Sequence, residues 1–72
     1  MSEEHTKKIG KFYMIAGHYM ESFKIGGKQK LRNLVGESLF YQKGKIWFFN
    51  NPKICSMQIE ELEFLINKIE KR

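Results

Sequence analysis

Residues 39–49, LFYQKGKIWFF, hold half of the ten aromatic side chains of a 72-residue chain, and no other stretch limits the fold so tightly. Aromatic and β-branched residues suit a pleated, half-covered surface. The run is broken only at Lys43-Gly44, where a two-residue turn would close an antiparallel β-hairpin. With that turn, Tyr41 faces Ile46 and Leu39 faces Phe48 on one side, while Phe40 faces Trp47 and Gln42 faces Lys45 on the other. Both sides carry aromatics. One can line a core; the other, with Phe40, Trp47, Phe49 and Lys45, must be covered by another element or used in binding.

Nothing covalent can fasten this hairpin to the rest. Cys55 is the single cysteine, which excludes an internal disulfide and points to a reducing, cytoplasmic compartment. The length allows one small domain, residues 1–72, and a chain this short buries a smaller fraction of its surface than a larger one. At 42% hydrophobic residues there is enough apolar surface for a folded core. The opening MSEEHTKKIG has no signal-like apolar core, and the run at residues 46–49 is far too short for a bilayer, so no membrane association is expected. Residues 1–8 are polar and charged and are expected to form a flexible tail.

The helical signals lie on either side of the hairpin. Phe12, Ile15, Ala16, Tyr19, Met20 and Phe23 share one face at about 100° per residue, the mark of an amphipathic helix. Gly17 opposes it at a cost of about 1 kcal/mol relative to alanine. An alternative makes residues 9–25 two strands, followed by a hairpin at Gly26-Gly27 and giving a β-meander plus a C-terminal helix. Residues 28–35, KQKLRNLV, favour the helical choice, because they are good helix formers and Gly36 stands where a helix ends. Leu31, Leu34 and Val35 would face inward and Lys28, Gln29, Arg32 and Asn33 outward.

Asn50-Asn51-Pro52 ends the second strand, with Pro52 holding Asn51 in an extended or turn geometry. A final amphipathic helix is expected from an N-cap near Ser56 to the end, with Ile59, Leu62, Leu65, Ile66 and Ile69 buried. Its early Glu60, Glu61 and Glu63 and late Lys68, Lys71 and Arg72 suit the helix dipole. The expected architecture is α+β: a helix-turn-helix-like N-terminal half and a hairpin packed on the C-terminal helix.

Charge then narrows the function. The formal net charge is +5, and residues 7–32 carry seven cations against one acid, Glu21. A lopsided basic half is the footprint of a protein that meets phosphates, although a soluble surface can be basic for no such reason. Catalysis finds little support. The chain has no Asp, its two histidines, His5 and His18, lie far from Cys55 in sequence, and no C-x-x-C or H-x-x-x-H spacing marks a metal site. Cys55 reads as a small buried residue where strand joins helix, and His18 as a surface or boundary residue. Gly26-Gly27 belongs to no nucleotide-binding motif, so no cofactor is expected; the pair makes a turn and could also admit a phosphate at the following helix.

The order helix, glycine turn, basic helix, hairpin resembles a winged helix-turn-helix in outline, with no family-specific pattern. On that layout Lys28, Gln29, Arg32 and Asn33 would contact bases, with Lys24, Lys30, Lys43 and Lys45 on phosphates. The expected function is non-enzymatic nucleic-acid binding in a regulatory or accessory role, DNA ahead of RNA. Stacking of single-stranded bases on Phe40, Trp47 and Phe49 is a second mode. A different class of function, an inhibitor or adaptor that binds protein or a second copy of itself, would use Met57 and Phe64, an apolar pair off the buried stripe of the last helix.

Overall fold

The computed structural model describes residues 2–71; Met1 of the expected tail and Arg72 of the expected last helix lie outside them. The element order is α1 (Glu3–Glu21), α2 (Gly27–Val35), a 3₁₀ turn (Glu37–Leu39), β1 (Phe40–Lys43), β2 (Ile46–Phe49), α3 (Asn51–Ser56) and α4 (Ile59–Glu70). This is a small α+β domain with α4 packed on α1. The fully buried large side chains are Phe12, Leu31, Ile54, Leu62 and Ile69, so all four helices feed one core. Removing each from water contributes about 1.5–3 kcal/mol before entropy is counted.

A helix over residues 9–21 rules out the two-strand alternative, and it begins well before Phe12. Phe12, Ala16 and Tyr19 are buried along it, with Ile15 and Met20 partly so. The expected tail is a correction, because residues 3–8 are helical. Ser2 caps this end by accepting the His5 amide on its hydroxyl at 3.1 Å, and Glu3 and Glu4 favour the positive end of the helix dipole. The polar side chains that suggested a loose segment are also what tie it down. The His5 ring reaches the Met57 carbonyl through Nε2 at 2.6 Å, and Lys8 pairs with Glu63 at 3.0 Å. Farther along, Ile15, His18 and Tyr19 border a cleft with Ile69 and Glu70. Helices α1 and α4 therefore run side by side in the same direction.

The turn between α1 and α2 depends on glycine. Gly26 has φ 77°, the left-handed region, and Gly27 begins α2 against the end of α1. A Cβ built on Gly27 would stand 2.3 Å from the Met20 carbonyl oxygen, closer than van der Waals contact allows. Two turns on, Gly36 ends α2 as expected, with its amide bonded to the Arg32 carbonyl.

The hairpin forms with a register two residues away from the expected one. Phe40 pairs with Phe49, Tyr41 with Phe48, Gln42 with Trp47 and Lys43 with Ile46, which makes Gly44-Lys45 the turn. Gly44 has φ 64° and Lys45 does not, the arrangement of a II′ turn, which wants glycine in its first central position. A two-residue slide preserves the faces. Phe40, Gln42, Trp47 and Phe49 still share one side; Tyr41, Lys43, Ile46 and Phe48 share the other.

The inner side is the first of these. Phe49 meets the rings of Phe12 and Tyr13 edge-on at 6.4 and 5.2 Å and stacks on Phe40 at 5.0 Å. Tyr13 donates its hydroxyl to Asn51 Oδ1, and burial, with Cys55 adding to it, raises the phenol above its ordinary value of 10.0. The Phe49 ring thus joins the hairpin to α1, within the same core that holds the buried residues of α4.

Between β2 and α4 a short helix, α3, takes the place of the expected loop. Pro52 lacks an amide hydrogen that the first turn of a helix does not need, so Asn51-Pro52 can open α3. Asn50 caps it by accepting the Lys53 amide at 3.4 Å. Cys55 lies half-buried within α3. Ser56 closes α3, its hydroxyl donating to the Lys53 carbonyl, and α4 starts from Gln58, whose amide donates to the Glu61 carboxylate at 3.2 Å. Of the expected stripe on α4, Leu62, Leu65, Ile66 and Ile69 are buried and Ile59 is half-buried.

Gly27→Ala should lower stability by about 1–3 kcal/mol, because the obstacle is backbone. Gly17→Ala, where nothing lies within 4 Å of the new methyl, should raise it by up to about 1 kcal/mol. Urea denaturation followed by circular dichroism measures both.

Candidate nucleic-acid interface

The outward arc expected on α2 does not face open solvent as a unit, because two of its four members turn to the hairpin. Arg32 lays its guanidinium over the Trp47 ring, with Cζ 3.6 Å from the ring centre. Its terminal nitrogens donate to Gln29 Oε1 at 2.9 Å and to Glu37 Oε1 at 3.3 Å, and only 13% of the side chain is exposed. The buried Nε has no partner among the described residues. Lys28 donates to the Trp47 carbonyl at 2.7 Å, and its ammonium lies 6.0 Å from the Phe48 ring. Gln29 donates in turn to Asn33 Oδ1 at 3.1 Å. Three of the four side chains proposed to read bases, Gln29, Arg32 and Asn33, are therefore bonded to one another.

The remaining cations divide by position. Lys24 is exposed in the link between α1 and α2. Lys30 projects from the other flank of α2, 5.1 Å from the Phe23 ring, in a shallow cleft shared with Tyr19, Asn33 and Leu34. Lys43 and Lys45 are exposed at the end of the hairpin. Among the described residues none of Lys24, Lys28, Lys30, Lys43 and Lys45 meets a carboxylate within 4.0 Å. The acids of α4 do not quench them. Glu63 is taken by Lys8, and Glu37, the only acid between residues 22 and 59, is taken by Arg32.

Lys28, Lys43 and Lys45 all lie on or beside the hairpin. Lys28 reaches β2 at Trp47, the neighbour of Ile46, whose cross-strand partner is Lys43; Lys45 adjoins Ile46 in the turn. The proposed stacking residues lie on the opposite side of the sheet. Phe40 is buried, Phe49 is packed among the rings of α1, and Trp47 is under Arg32, so these three form no open platform. The exposed aromatics of the hairpin are Tyr41 and Phe48, stacked on each other at 5.5 Å with an interplanar angle of 25°. Sequence reasoning missed them. Glycine's preference for the first position of a II′ turn would have paired Tyr41 with Phe48 and put Lys43 on their side, but which side faces out is set by the contact of Phe49 with α1.

Elsewhere, Met57 and Phe64 line one groove of about 440 Å³ with Val35, Leu39 and Leu65, flanked by Lys53, Glu60 and Glu61. Phe64 is 65% exposed. Among the described residues no three His, Cys, Asp or Glu side chains are grouped to hold a metal ion, and no helix is long and apolar enough to cross a membrane. Comparison of the chain with protein-family models, curated proteins and solved structures finds no match.

Arg32 is a structural joint between α2 and β2, so its removal should be felt in the fold. Arg32→Ala is expected to cost about 1–2 kcal/mol and to shift Trp47 emission to the red as the indole meets water. Arg32→Lys should recover little of this, since an ammonium cannot lie flat on the ring or hold Gln29 and Glu37 together. Denaturation monitored by tryptophan fluorescence tests all three proteins.

Proposed function

We propose that the chain is a small, cytoplasmic, non-enzymatic nucleic-acid-binding protein, acting on DNA ahead of RNA in a regulatory or accessory role. The observation that carries this reading is the set of lysines, Lys28, Lys43 and Lys45, around one face of the hairpin with no carboxylate among the described residues to neutralise them. The Lys28 bond to a carbonyl fixes its position without cancelling its charge. Exposed, uncompensated lysines that border one surface give a polyanion several simultaneous contacts, and each contact releases condensed counterions. Lys24 and Lys30 extend the positive field toward the corner between α1 and α2. Base reading by α2 is not favoured, since Gln29, Arg32 and Asn33 are engaged with each other and with Trp47 and Glu37.

A second reading rests on the groove at Met57 and Phe64. An aromatic side chain left largely exposed beside a recess is a place where a protein partner or a second copy could dock. The two readings separate experimentally. Fluorescence anisotropy with labelled DNA and RNA should show binding that weakens, between 50 and 200 mM salt, about 40-fold for duplex and about 20-fold for single strands if three phosphates are contacted. Replacing Lys28, Lys43 and Lys45 together with alanine should remove most of that binding and its salt dependence, and Phe64→Ala should leave it unchanged. Binding indifferent to salt and to the three lysines would overturn the nucleic-acid reading.

A further inference from the structure

We infer that the outer face of the hairpin is a stacking surface for single-stranded nucleic acid, with bases lying on Tyr41 and Phe48 and the backbone phosphates held by Lys28, Lys43 and Lys45. This rests on the nucleic-acid reading and specifies its ligand.

The face is built by strand alternation. Tyr41, Lys43, Ile46 and Phe48 project to the same side, and three of them are apolar residues left in water, exposed by 48% at Tyr41, 56% at Ile46 and 40% at Phe48. An apolar outer face on a hairpin whose inner face already fills the core needs another explanation than core packing. The two rings lie nearly parallel, 5.5 Å apart, so they already present π surface in a common orientation. Every base has a π face, so such a surface accepts bases with little regard to sequence.

The charges around the rings choose among possible occupants. Residues 38–59 contain no acid, and Lys28 stands 6.0 Å from the Phe48 ring, where it can reach a phosphate flanking a stacked base. A second copy of the chain meeting this face with its own would oppose lysine to lysine. An intact duplex fits poorly for a different reason: both faces of each internal base are occupied by its neighbours, and rings fixed on a sheet can meet only bases that are already unstacked. A flexible single strand satisfies both demands, bringing bases to the rings and phosphates to the lysines. No group on this face is committed to the ribose 2′ position, so single-stranded DNA and RNA are expected to bind within a few-fold of each other.

The test is anisotropy titration of the full chain with a fluorescein-labelled oligothymidylate of about 12 nucleotides, an oligouridylate of the same length, and a duplex of mixed sequence. Tyr41→Leu and Phe48→Leu keep apolar, strand-compatible side chains and remove the π face; Tyr41→Phe and Phe48→Tyr keep it. Circular dichroism establishes that each variant is folded. The expected result is that single strands bind more tightly than duplex, that each leucine variant weakens single-strand binding about 5- to 150-fold, and that the aromatic exchanges have little effect. Duplex bound as tightly as single strand, with leucine variants unaffected and the triple lysine variant weakened, would overturn stacking and leave general nucleic-acid binding standing. Binding of none of the three oligonucleotides would overturn both.

Discussion

The contact on which the molecule depends is the ring-to-ring joint between α1 and the hairpin. Phe12 and Tyr13 meet Phe49 edge-on, and Phe49 stacks on Phe40. Such pairs contribute about 0.5–1.5 kcal/mol each beyond the apolar area they bury. A chain with one cysteine has no covalent substitute for this, and a two-stranded sheet is not stable alone in water. The joint also determines which side of the hairpin is spent on folding. Once Phe40, Trp47 and Phe49 are turned inward, Tyr41, Ile46 and Phe48 must face out. The candidate interface is thus a by-product of how the core closes.

Charge is partitioned by the same packing. Lys7 and Lys8 are paired with Glu3 and Glu63, and Arg32 is fixed by Trp47, Gln29 and Glu37. Of these, the pair involving Lys7 is fully solvent-facing and contributes little, whereas Lys8 and Arg32 join separate elements. The lysines of the hairpin and of the start of α2 have no carboxylate partner among the described residues. Cations that fall in clusters along residues 7 to 45 of the sequence therefore become, in space, a set of structural cations and a set available to an outside anion.

The sequence made the helices legible wherever an apolar stripe ran at helical period. Leu62, Leu65, Ile66 and Ile69 on α4, and Phe12, Ala16 and Tyr19 on α1, were readable without any structure. Gly17 did not break α1, since propensity near 1 kcal/mol is outweighed by burial of a whole face. The first turn of α1 did carry a local signal, Ser2 as cap followed by Glu3 and Glu4, but the contacts that fasten it to the core, the Met57 carbonyl and Glu63, lie far along the chain and no local pattern reports them. Helix α3 was hidden by a proline that reads as a stop but sits where a helix tolerates it. On the interface, composition identified the lysines correctly as cations but could not tell Arg32, which is consumed by the fold, from Lys43, which is not. That distinction depends on Trp47 lying across from α2, a relation between segments with no trace in either one.

The parallel course of α1 and α4 bears on how the chain reaches this state. Fastening α1 requires residues roughly fifty positions later, as the 52-residue separation between His5 and Met57 makes plain. On the ribosome, α1 would emerge with Phe12 and Ala16 uncovered and wait several seconds, at about 5–20 residues per second, before α4 arrived to shelter them. The hairpin and α2 leave the ribosome sooner, so Phe49 can close over Phe12 before α4 is free to pack. Synthesis order thus favours assembly from the N-terminal side, with the longest helix gaining its last neighbour at the end.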